Sequence, residues 1–203
     1  MRLFFLFLIA SQSWITYAKP LTMAFTDRAP YHYVEDNPQK PKGIMAKILH
    51  KVLKDSQIKV TFLVLNANQI MSRAKKKAPF CSFTWFKNPE REKFAHFTLP
   101  LWHDQPFVLV ANKNKVSQLH KFKTLKDFAT QSEMSLGTRD TISYGSYVDS
   151  HIFAKSSKLE IKRVANSQVN MVRMLDRGRF DLMVLSPEEM PSLFKEASVN
   201  QDN

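Results

Sequence analysis

The chain holds a single cysteine, Cys81, in 203 residues. That excludes an internal disulfide, and its position well beyond the first apolar stretch excludes a lipid-attachment site. Between Phe80 and Phe83, in a strand-like run, the thiol reads as core filler. Only four glycines occur, Gly43, Gly137, Gly145 and Gly178. None are spaced to cradle a phosphate, and no Gly-x-Ser-x-Gly elbow is present. The six histidines (His32, His50, His96, His103, His120, His151) never form a His-x-His or His-x-x-x-His pair, so zinc chemistry has no sequence support. No run after the first ten residues approaches the roughly 20 apolar residues of a membrane helix. Acids are scarce: 18 Asp and Glu face 30 Lys and Arg, a formal net charge of +12. Such an excess favours anionic partners, whether nucleic acid, membrane surface or small solute. The basic residues are dispersed, dense only at Lys75-Lys76-Lys77 and Lys121 to Lys126. A solvated basic surface accounts for that spread, and nucleic acid is not expected.

What is present starts with residues 1–18. Met1 and Arg2 give a positive start, Leu3 to Ala10 an apolar core, and Thr16 and Ala18 small residues at the −3 and −1 positions of a cut after Ala18. This is the grammar of a cleaved signal peptide, with an uncleaved anchor or a buried helix as the other reading. A soluble, exported mature chain is expected. Its destination would be the periplasm.

From there strand-like and helix-like segments alternate. Leu21 to Phe25 reads as a strand, and a proline-bearing loop (Pro30, Pro38, Pro41) leads to Gly43. Apolar residues Ile44, Ile48, Leu49, Val52 and Leu53 then recur at helical spacing. Lys59 to Leu65 is a strand, Asn68 caps a short helix through Ile70, Met71 and Ala74, and Pro79 to Phe83 is a strand. Gln105 to Ala111 is a long apolar strand before a basic connector, Asn112 to Lys123. Thr124 with Asp127 caps a helix carrying Leu125 and Phe128. Met134 to Gly137, Ile161 to Val164 and Phe180 to Leu185 complete the strands. Between them lie one helix capped by Ser143 and another capped by Asn166 or Ser167, the latter closed by Gly178 in a left-handed conformation. Ser186-Pro187-Glu188-Glu189 opens a last helix with a cap, a proline at its first position and acids at its positive end. Such alternation predicts an α/β fold with mainly parallel sheets.

Three loops carry binding chemistry. Pro30-Tyr31-His32-Tyr33 follows the first strand, at the carboxyl edge where parallel sheets bind ligands; its rings either stack on a ligand or pack on the proline loop. Cys81 to Arg91 offers the Ser82 and Thr84 hydroxyls and the Arg91 fork, suited to a carboxylate. Gly137 to Gly145 is a polar loop entering a helix, where backbone N–H groups favour an anion. Asp181, Glu188 and Glu189 are explained by capping and solvent exposure. No catalytic constellation stands out; His32, Asp140 and Glu90 are the titratable candidates if the chain is an enzyme.

These residues resemble the bacterial extracellular solute-binding proteins of family 3, the amino-acid-binding type associated with ABC transporters. The matching pieces are Ala29 to Tyr33, Lys42-Gly43-Ile44, Pro89 to Leu101, Ser143-Tyr144-Gly145 and Gly178-Arg179-Phe180-Asp181, in order from about residue 20 to 190. The resemblance implies a two-lobe, type II periplasmic-binding-protein architecture: lobe 1 over 19–107, lobe 2 over 108–195 and a polar tail over 196–203. It also implies an incomplete first lobe, because family members continue for several tens of residues beyond the last helix. Carried over by position, Tyr31 or Tyr33 stacks on ligand, and Arg91 binds an α-carboxylate beside Ser82 and Thr84. Thr141, Ser143 and Tyr144 close from the second lobe. The acid that usually holds a ligand ammonium is replaced by Ser186, which leaves room for a ligand without a positive amine. The expected function is capture of a small polar or anionic solute, amino-acid-like or an organic acid, by a monomer without cofactor or metal, for an inner-membrane ABC permease or a sensor. An enzyme on the same scaffold (dehydratase-like) and a degenerate interaction module are the alternatives.

Overall fold

The computed structural model describes residues 19–165 and 167–200. The expected signal segment, residues 1–18, and the alternative cap Asn166 lie outside the described residues. The first sheet begins with β1 (Leu21–Phe25), whose Met23, Ala24 and Phe25 are buried. β1 is central, flanked in parallel by β2 (Val60–Val64) and β3 (Cys81–Ser82), giving the order β2-β1-β3. Parallel neighbours need crossovers, and helices supply them. α1 (Ile44–Ser56) joins β1 to β2, and α2 (Ala67–Lys75) joins β2 to β3. Met23, Phe25, Tyr31, Met45, Leu49, Phe62 and Phe83 form the core of this lobe. Its aromatic pairs Phe25–Phe62 and His32–Phe83 meet edge to face, with centroids 6.1 and 5.0 Å apart.

Gly43 fixes the entry to α1. Its φ is +111°, and a Cβ there would stand 2.5 Å from the Tyr31 carbonyl oxygen. That close approach lets Ile44 N–H donate to Pro30 O and Met45 N–H to Tyr31 O, at 3.0 and 2.8 Å. The first helix is thus capped by the loop that follows β1, which holds the loop in place.

The second sheet runs β4-β7-β5-β6, from β4 (Val108–Ala111), β5 (Ser135–Arg139), β6 (Glu160–Val164) and β7 (Leu182–Leu185). β5 is parallel to both β6 and β7, whereas β4 pairs antiparallel with β7. Sequence alternation predicts the parallel pairs but carries no signal for the antiparallel edge. α5 (Leu125–Gln131) and α6 (Ser146–Ile152) contribute Phe128, Ala129 and Ile152 to a cluster with Leu136, Leu182 and Val184. α7 (Gln168–Asp176) and α8 (Met190–Ala197) pack on the other face, through Met171, Leu175, Phe180, Met183, Leu193 and Phe194. Two short helices, α3 (Pro89–Glu92) and α4 (Lys113–Leu119), complete the described elements. The two-lobed α/β architecture is the expected one.

Several local expectations shift. The cap of α2 is Asn66, two residues before the expected Asn68, because Gln69 closes a reciprocal capping box with it. Only Val108–Ala111 of the expected Gln105 to Ala111 strand pairs, and the basic connector folds into α4. α6 starts after Gly145, at φ +90°, while the Ser143 hydroxyl donates instead to Asp149 Oδ2 at 2.6 Å. Ser186 to Glu189 form a turn ahead of α8, whose early proline is Pro191 rather than Pro187. α8 runs to the buried Ala197, past the expected start of the tail. Cys81 is exposed on β3, not core filler. Thr124 and Ser167 cap α5 and α7, and Gly178, at φ +66°, ends the latter as its position predicts.

Candidate functional site

The carboxyl ends of β1, β3, β5 and β7 converge on a narrow gap, with about 60 Å³ of cavity that opens to solvent. Past β1 the chain brings Thr26 and Arg28 to it. After β3 it brings Thr84, Trp85 and Phe86, and α3 adds Arg91. β5 ends in Arg139, followed by Thr141 to Tyr144, and β7 leads to Ser186 and Glu189. Each lobe therefore contributes guanidinium and hydroxyl groups to one space.

Arg91 is buried, at 7% exposure. Asn88 caps α3 by accepting from Arg91 N–H, which sets the direction of the side chain. Its guanidinium donates to Phe86 O at 2.7 Å and, across the gap, to Thr141 O at 3.0 Å, with the Trp85 ring 5.1 Å away. Burial pulls its pKa below the usual arginine range, yet arginine stays charged in proteins.

Arg28 and Glu189 form a two-bond ionic link between the lobes. Nε and one Nη of Arg28 donate to the two carboxylate oxygens of Glu189, both at 2.6 Å, in the parallel fork that guanidinium and carboxylate favour. Glu189 is 1% exposed, which corrects the expectation of a solvent-facing helix-start acid. Beside this pair the Tyr31 hydroxyl meets Ser186 Oγ at 2.5 Å, and Ser186 bonds onward to Glu188. Burial, first, pushes the Tyr31 hydroxyl well above its ordinary pKa. Arg139 donates to Gln168 Oε1 at 3.3 Å, and burial together with nearby Arg28 lowers its pKa.

Of the expected ligand-binding residues, Thr84, Arg91, Thr141, Ser143 and Tyr144 line the gap. Tyr31 does not: its ring is part of the first core and lies under the Arg28 guanidinium at 4.9 Å. Tyr33 exchanges backbone bonds with Lys42, and the Ser82 hydroxyl donates to Ala24 O while accepting from Trp85 Nε1. The gap takes its rings from Trp85, Phe86, Phe107 and Tyr144 instead. Thr84 has φ +64°, an unusual value for a β-branched residue that marks a constrained position. Sequence reasoning missed Arg28, Arg139, Gln168 and Glu189. Arg28 stands just before the quoted Ala29 to Tyr33 piece and Arg139 inside the Gly137 to Gly145 loop, so basic residues in those two loops were the available signal.

The candidate acid–base groups sit elsewhere. His32, Asp140 and Glu90 do not line the gap. In the neutral His32 ring Nδ1–H donates to Thr26 O and Nε2 accepts from the Thr84 hydroxyl, each at 2.6 Å. Burial lowers its pKa to about 4. Among the described residues no group of three or more His, Cys, Asp or Glu could hold a metal ion.

Solved structures of the same fold include an ancestral arginine-binding protein bound to arginine, at 19% identity and TM-score 0.62, covering 87% of this chain and 75% of that one. Holo ArgBP from T. maritima is similar at 16% identity and TM-score 0.61, covering 88% and 74%. A structure concerned with glutathione import via GshT and a cystine ABC importer of Streptococcus mutans reaches TM-score 0.66 at 18% identity, covering 92% and 74%. No curated protein sequence matches the chain. The family profile described as bacterial extracellular solute-binding proteins, family 3, matches residues 21–143. With the two lobes and the gap between their strand ends, that match places the chain in its group: it belongs to the family 3 extracellular solute-binding proteins.

Proposed function

We propose that the protein is an exported solute-binding protein that captures a small polar or anionic ligand in the gap between its lobes. The observation that carries this reading is Arg91. A buried guanidinium from lobe 1 lines the gap, and two of its donors rest on the carbonyl oxygens of Phe86 and Thr141. A ligand carboxylate entering there meets a guanidinium already desolvated and fixed by those two carbonyls, so little ordering remains to be done on binding. Thr84 on one side and Ser143 on the other supply hydroxyls, and the Trp85, Phe86 and Tyr144 rings supply apolar walls. Closure of the lobes on the solute is the output that a membrane partner reads, an ABC permease or a sensor, and the protein acts as a monomer in the periplasm. Family membership supports the solute-binding role. Among the described residues no helix is long and apolar enough to cross a membrane.

The test is a thermal-shift screen of the mature chain against amino acids, organic acids and peptides, followed by calorimetry on the hits. Arg91→Ala is expected to weaken a carboxylate ligand tenfold or more, since a hydrogen bond to a charged group is worth roughly 1.5–3 kcal/mol. Unchanged affinity would remove Arg91 from the site.

A further inference from the structure

The gap has an unbalanced charge. Three guanidiniums, Arg28, Arg91 and Arg139, line it against one carboxylate, Glu189. Both oxygens of Glu189 are taken by Arg28. Among the described residues no carboxylate lies within ion-pair distance of Arg91 or Arg139. The other acids act from outside the lining. Asp149 attracts Arg91 through its charge while accepting from Ser143 Oγ and Tyr144 N–H. Glu189, in the lining, attracts Arg139 as well as Arg28. Glu188 is held by Ser186 and Tyr31, and Asp104 acts on Arg28 and Tyr31. Two guanidiniums, one from each lobe, thus line the gap with neutral hydrogen-bond acceptors and no directly paired carboxylate: backbone carbonyls for Arg91, the Gln168 amide for Arg139.

We propose that the gap selects a ligand carrying two anionic groups, one received at Arg91 in lobe 1 and the other at Arg139 in lobe 2. This rests on the solute-binding reading above and names its ligand class. Burial penalises the charge on both guanidiniums, Arg28 adds repulsion at Arg139, and a dianion relieves both sites at once. A cationic amine meets the opposite: the lining acid is already occupied, and Ser186, buried at the end of β7, offers a hydroxyl without charge. Because the two guanidiniums belong to different lobes, a bridging dianion also binds the lobes together. A singly charged ligand leaves one guanidinium uncompensated.

The experiment is calorimetry of the full mature chain with four probes: succinate (two carboxylates), 3-phosphoglycerate (carboxylate and phosphate), butyrate (one carboxylate) and arginine. Succinate or 3-phosphoglycerate is expected to bind at least tenfold more tightly than butyrate, with arginine weaker still, and whichever dianion wins identifies the second group. Arg139→Gln, which keeps a polar side chain, is expected to weaken the dianion tenfold or more while leaving butyrate within about twofold, the fold-change of one charge-assisted contact. Equal affinity for succinate, 3-phosphoglycerate and butyrate, or an Arg139→Gln effect shared by all of them, overturns the two-anion assignment while leaving Arg91 as a carboxylate site. Tightest binding of arginine overturns it as well. Binding of none of the four overturns both this assignment and the carboxylate site.

Discussion

Removing Arg28 isolates a carboxylate that the fold cannot easily rehydrate. Glu189 is 1% exposed and receives two bonds of 2.6 Å from a guanidinium whose own side chain is 21% exposed. Breaking a buried pair by truncating one partner typically costs 3–5 kcal/mol, because the remaining charge stays desolvated. Two features pull Arg28→Ala toward the lower end. Water can follow the partly exposed path that the arginine vacates, and Gln168 Nε2 remains 3.4 Å from Glu189 Oε2. The expected loss is about 3 kcal/mol in urea-unfolding experiments. At 2–4 °C per kcal/mol for a chain of this size, the melting temperature should fall by roughly 6–12 °C. The double variant Arg28→Met with Glu189→Met removes both charges and keeps bulk, so it should recover most of that loss. If Arg28→Ala costs under about 1 kcal/mol, or if the double variant is as unstable as the single, the pair is not the buried link described.

Acid should weaken the fold through His32. The unfolded chain binds this proton below about 6.5, whereas burial delays uptake in the folded protein to about 4. The stabilisation is complete above that window and is lost as pH falls through it, by about 3 kcal/mol. His32→Asn should flatten this part of the urea-midpoint profile between pH 6.5 and 4; an unchanged slope would contradict the assignment. Gly43→Ala should destabilise by about 2 kcal/mol or more, because its Cβ meets the Tyr31 carbonyl oxygen at 2.5 Å in a backbone of φ +111°. A thermal melt matching the parent protein would mean that the loop and helix can separate.

What was legible in the sequence was local. Thr124 with Asp127, Ser167 and Gly178 announce helix ends through bonds to residues three to five positions away, and the structure places them there. Asn68 was the wrong asparagine, since only Asn66 stands three residues from Gln69. The Gln105 to Ala111 run is apolar enough for a strand, but strand length depends on a partner, and β7 pairs with only its last four residues. The site follows the same rule. Thr84, Thr141, Ser143 and Tyr144 sit in loops, and Arg91 in the short α3 beside one, where the polar and aromatic make-up marks them. Tyr31 is ambiguous in sequence because an aromatic beside prolines suits a cleft wall and a core equally well, and the structure puts its ring in the core. The Arg28–Glu189 pair joins residues 161 positions apart, and no periodicity or local spacing encodes such a meeting.

One detail at the head of the first helix bears on which groups can meet a solute. The opening amides of α1 are given to Pro30 and Tyr31, the chain's own backbone, and so cannot serve as a fixed cradle for a visitor. Contacts to a solute in the gap are therefore left to side chains such as Thr84, Arg91 and Arg139 and to the loop after β5.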